Sequence, residues 1–149
     1  MVRDGDVVER EKVHNLVPFN GVHYVMGAAY LGEPQFTSWY CGVYSGAYTP
    51  EHMDTLTKVV DEAIEFTGYE GGTRLPCVFK QPSLGVIKAE TIEMNINKPV
   101  TLYGGFVAST KTHGNKSGVL ASVVRFSSPK ELSVGDTLRI GVEIEFVVL

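Results

Sequence analysis

Cysteine is scarce: Cys41 and Cys77 are the only two, and no Cys-x-x-Cys spacing occurs. Two small buried thiols are expected, not a disulfide framework. The four histidines, His14, His23, His52 and His113, are scattered with no His-x-x-x-His pair, so neither a transition-metal site nor a cofactor is expected. Gly71-Gly72 and Gly104-Gly105 lack the spacing and the following Lys of a phosphate loop, and read as turn or bulge glycines. Basic charge is short as well. The 13 Lys and Arg against 17 Asp and Glu give a net charge of −4 with the cations dispersed, which argues against nucleic acid as a partner. No apolar run approaches the ~20 residues of a membrane span, and residues 1–20 alternate charges instead of building a signal-peptide core. The expectation is a soluble protein made in a cytoplasm, without a membrane partner. No catalytic motif stands out. Asp61, Glu62 and Glu65 resemble a carboxylate cluster, but on a helix Asp61 and Glu65 lie one turn apart on a solvated face, so the chain is not expected to be an enzyme.

What the chain does have is alternation. From Leu138 every second residue is apolar (Leu138, Ile140, Val142, Ile144, Phe146, Val148), with Arg139, Glu143 and Glu145 among those between, which predicts a half-buried strand. Gly118–Phe126 and Val100–Val107 are rich in β-branched and aromatic residues and predict two more strands, joined by loops over 109–117 and 127–136. Ile92, Met94 and Ile96 point inward from a strand over 86–97, whose apolar phase slips at Glu90 and Thr91 and so predicts a β-bulge. Pro76 makes a strand over 74–80 peripheral. The fold expected is all-β: an antiparallel β-sandwich with two short helices.

The first helix is expected after Asn20 as cap, with Val22, Val25, Met26 and Ala29 as its inward face and Gly32 as its stop. The second is expected over about 50–65, opened by Pro50 with Glu51 near the positive end of its dipole. Phe36–Tyr44 predicts a strand with Trp39 in the core. Residues 1–14 predict an extended arm, and residues 15–149 a single domain. The arm has too little apolar surface to order itself, so removal of Met1–Asp6 is expected to leave thermal unfolding nearly unchanged. At the other end, Phe146-Val147-Val148-Leu149 is too apolar to stand in water. Partner-binding residues are accordingly expected at Arg3, Asp4, Val7, Val8 and Arg10, and at Val147, Val148 and Leu149.

Several local features occur in order: Asn15-Leu16-Val17 before a short helix, Trp39-Tyr40 with Gly42 and Tyr44 in a strand, Pro50, and Glu65-Phe66-Thr67-Gly68-Tyr69 followed by Arg74. A strand at Gly104, Ser117-Gly118-Val119-Leu120 and Gly135-Asp136-Thr137-Leu138 continue the series. In these turns and aromatics the chain from Asn15 to Leu149 resembles the capsid decoration, or cement, proteins of tailed bacteriophages. The resemblance implies a jelly-roll-like sandwich on the exterior of an icosahedral virion shell, present as a homo-oligomer (dimer or trimer) and tying major capsid protein subunits together. The helical segment over 50–65 and the charged arm depart from that pattern. A competing expectation is a carbohydrate- or receptor-binding virion module, since the aromatics of 36–44 could form a sugar platform.

Overall fold

A computed structural model describes residues 1–145, and its first feature is a turn. Asp4 (φ 50°) and Gly5 (φ 86°) take the left-handed backbone of a tight hairpin joining β1 (Val2–Arg3) to β2 (Asp6–Val7). Then come α1 (Phe19–Tyr30), β3 (Tyr40–Tyr44), α2 (Leu56–Asp61), β4 (Glu65–Phe66) and β5 (Leu75–Pro76). A second hairpin, β6 (Phe79–Ser83) and β7 (Val86–Ala89), precedes β8 (Ile92–Asn95), β9 (Val100–Ala108), β10 (Leu120–Leu132), β11 (Thr137–Ile140) and β12 (Glu143–Glu145). All strand pairings among the described residues are antiparallel.

One sheet runs β10-β9-β3-β4, with β5 also on β3; the others run β2-β1-β11-β8 and β12-β7-β6. The latter two share a ribbon, because β7 and β8 run beside β12 and β11, and the Ala89 amide donates to the Val142 carbonyl (2.8 Å) between them. Lys88 faces Glu143 and Ile92 faces Ile140, so three intervening residues oppose two. That is the expected bulge, at 89–91. The ribbon packs on one face of the first sheet: Met94, Ile96 and Leu138 meet Val43, Leu102 and Leu132, while Ala89, Ile92 and Cys77 meet Cys41 and Val107. The opposite face carries Tyr44, Phe106, Leu120 and Val123 and is covered by Leu56 and Val59 of α2 and by Ala63. The result is a β-sandwich with a helical third layer. Both pieces of the 74–80 segment are peripheral, β5 as a branch and β6 as a sheet edge.

Several expectations are corrected. Residues 1–14 are not a free arm: Val2 is buried and pairs with Thr137, the Met1 amine donates to the Glu9 carbonyl (2.8 Å), and Lys130 pairs with Glu9 and with Glu11. Counting apolar area alone omitted these main-chain and ionic contacts to the chain's own body. The second helix is less than half its expected length. The Asp54 carboxylate accepts from the Tyr48 hydroxyl (2.6 Å) and the Glu51 amide (2.9 Å), holding 51–54 in a turn, and Ile64 (φ 64°) reverses the backbone ahead of β4. The strand expected from Phe36 begins at Tyr40. β10 continues to Leu132 through a register shift after Arg125, so the expected 127–136 loop is shorter. The last strand breaks at Gly141-Val142, where it passes from one sheet to the next. Phe146, Val147, Val148 and Leu149 lie outside the described residues.

Candidate interaction surface

Helix α1 forms where expected but faces the other way. Pro18, itself buried, supplies the extended residue before the first turn, and the Phe19 amide donates to the His52 carbonyl (2.9 Å). Asn20 does not cap; its side-chain oxygen accepts from the Leu120 amide (2.7 Å) and ties the helix to β10. Gly21 sits against that strand so closely that a methyl group there would lie 2.8 Å from the Ala121 carbonyl oxygen. At the far end Gly32 (φ 67°) turns the chain away. With Gly21 against β10 and Gly27 covered by the Glu33 side chain, α1 presents Phe19, Val22, Val25, Met26 and Tyr30 to solvent, Met26 at 55% and Tyr30 at 82% exposure. The residues expected to face the core are the exposed ones. Leu31, Val17 and Met53 are exposed too, and His52 lies beside the Phe19 ring at 5.8 Å. No Lys or Arg occurs from Val13 to Thr57, and no charged residue in α1.

On the flank of α1, Tyr24, Phe36 and Trp39 form a ring cluster with centroids 5.3, 5.4 and 6.0 Å apart, and the Tyr24 hydroxyl accepts from the Phe36 amide (2.7 Å). Trp39 is half-buried rather than central to the core, packing on the Cys41–Cys77 cluster from outside. Both cysteines are free and buried, as expected; burial pushes the Cys41 thiol up to about 12, with Cys77 adding to it, and the Cys77 thiol to about 11.

The expected N-terminal contact residues fall on one hairpin and the segment after it. Arg3 is bidentate to the buried Asp136 (2.9 and 2.8 Å), so it is an internal anchor. Arg3, and then the Ser133 amide, pull the Asp136 carboxyl down to about 2. Asp4 forms the turn, while Val7, Val8 and Arg10 are exposed, Val7 on the outermost strand of its sheet. Val147, Val148 and Leu149 lie outside the described residues. Behind residues 9–15 is a cleft of about 860 Å³ with Val43, Val107, Phe126, Ile140 and Val142 on its walls. Among its ionic groups, Lys130 pairs with Glu9 and with Glu11; burial disfavours the Lys130 ammonium, but the two carboxylates outweigh it and raise its pKa.

One buried charge pair escaped sequence reasoning. Glu65, expected on a solvated helix face, lies on β4 with its carboxylate buried against Arg74 (2.7 and 2.9 Å). Arg74, fully buried, also donates to the Thr110 carbonyl and hydroxyl (3.1 and 2.7 Å) and the Asn115 carbonyl (3.0 Å), while the Gly114 amide donates to Glu65 (2.8 Å). All five guanidinium donors are engaged. The pair therefore latches the 109–118 loop and has no donor left for a ligand. Asp61 and Glu62 are exposed as expected. Among the described residues, no group of three or more His, Cys, Asp or Glu is placed to hold a metal ion.

No protein-family model matches the chain, and no curated protein matches it.

Proposed function

We propose that this protein works by binding, as a decoration or cement protein on the exterior of a bacteriophage shell that bridges major capsid protein subunits. The observation that carries the reading, as a protein that works by contact, is the outward apolar face of α1. A dozen-residue helix that sets Gly21 against the sheet and turns its large apolar side chains to water is built for contact, since patches of that kind mark interaction sites. The resemblance of its turns and aromatics to the decoration proteins supplies the class of partner. A second surface, the open edge with Val7, Val8 and Arg10, remains for the coat. In such a protein the function is the free energy of its contacts, repeated over many copies. Mixing purified protein with shells that lack it tests the reading: saturable co-sedimentation and a higher shell-disruption temperature are expected. Shells that sediment without it would remove the proposal.

The ring cluster of Tyr24, Phe36 and Trp39 favours a second reading, a carbohydrate-binding virion module. Titrating sugars against Trp39 fluorescence separates the two. Saturable change supports the module, and a flat response supports the structural role.

A further inference from the structure

We propose that the outward face of α1 is a self-association surface, on which two copies of this chain pair helix to helix across a two-fold axis. The proposal rests on the reading above only in treating the protein as one that works by contact, and it assigns this face to a second copy instead of the coat. The stripe cannot turn inward. Gly21 holds the opposite side of α1 against the β10 backbone, Asn20 bonds the Leu120 amide, and the Phe19 amide is bound to His52. Its exposed side chains, with Val17, Leu31 and Met53 beside it, offer an area on the order of 800 Å², what one partner contributes to a stable interface.

Charge selects the occupant. In a two-fold interface each residue meets the same patch of the other copy, so a charged face repels itself while an uncharged one does not. Helix α1 has no Asp, Glu, Lys or Arg. A lipid surface is the poorer fit, because helices that lie on membranes carry Lys and Arg on their polar face, and none occurs from Val13 to Thr57. Length and spacing agree. The 12 residues of α1 span about 18 Å, and Phe19, Val22, Met26 and Tyr30 follow one face at steps of three, four and four. Antiparallel pairing about an axis level with Tyr24 and Val25 sets Phe19 of one copy against Tyr30 of the other at both ends, with Val22 and Met26 closing the centre.

Sedimentation equilibrium of the full chain, at concentrations up to about 50 μM, should report twice the 16.3 kDa chain mass. Met26→Glu should raise the dimer dissociation constant at least about thirtyfold, the shift carried by a hot-spot side chain, without changing the circular dichroism spectrum. Met26→Lys should do the same, and mixing the two variants should restore the dimer. A chain monomeric at that concentration overturns the proposal, as does a Met26→Glu protein that stays dimeric. Dimeric Met26→Glu that no longer binds shells would make this face a coat contact, and a monomer that binds zwitterionic lipid vesicles would make it a membrane contact. A dimer broken by these variants that never binds shells upholds the self-interface and sinks the decoration reading instead.

Discussion

Arg74 and Asp136 place buried charge where the sequence gives little notice of it. Replacing Arg74 by Met strands the Glu65 carboxylate without its guanidinium, and breaking a buried pair from one side costs about 3–5 kcal/mol. Urea unfolding should show a loss of that size, reduced when Glu65→Gln is added; a loss under about 1 kcal/mol would contradict the latch. Asp136 yields a pH prediction. Its folded value near 2 lies below the ordinary 3.8, so the stability it contributes is present above pH 3.8 and lost as pH falls through 2. Asp136→Asn should flatten the fall in Tm across that window, and an unchanged acid profile would refute the linkage. Neither charge could be placed from spacing. Glu65 sits one helical turn from Asp61 in sequence, and only Ile64, by reversing the backbone, carries it from a solvent face into a sheet.

Strands were legible where one face is buried, because alternation records burial directly; Ile92, Met94 and Ile96 are inward with Glu93 and Asn95 outward, as expected. Helix α1 shows the limit of that signal. An apolar stripe fixes which residues share a face, but not whether it meets the body or a partner. Gly21 is the clue that decides it, since a helix approaches a strand most closely through glycine. Gly21→Ala would gain up to about 1 kcal/mol in helix propensity, against roughly 1–3 kcal/mol for overpacking. The obstacle is a backbone carbonyl of β10, which cannot swing aside, so net destabilisation is expected in thermal melts. The N-terminal hairpin went unread because Asp4-Gly5 lies among charges that suggested disorder. Deleting Met1–Val7 should now lower stability by at least the roughly 1.5–3 kcal/mol of a buried valine, because Val2 leaves the core and Asp136 loses Arg3. A truncated chain with unchanged Tm would restore the view of these residues as an arm.

At the scale of the whole molecule, the sandwich was legible in the succession of strands, and the stacking of its layers was not. Sequence could not say that the 86–97 and 137–145 segments would form one ribbon divided between two sheets, because that depends on a one-residue bulge and on long-range register. Nor could it place Cys41 and Cys77 together. They meet in the cluster that joins the ribbon to the first sheet, so their chemistry reports on whether the layers remain closed. A thiol reagent at neutral pH should modify both only as fast as the sandwich opens, and mild denaturant should accelerate the two together. Alkali tests the same burial. The folded values near 12 and 11 stand above the ordinary thiol value of 9.0, so the stability contributed by neutral thiols is complete below pH 9 and lost as pH rises through the folded values. Tyr44, Tyr48 and Tyr69, raised chiefly by burial, add to the alkaline loss, so the comparison must be made between variants. Cys41→Ala with Cys77→Ala should begin at lower stability, because two side chains leave the core, yet lose less Tm than the parent between pH 9 and 11. Equal slopes, or rapid labelling of either thiol in native protein, would show that the layers do not seal this cluster from water.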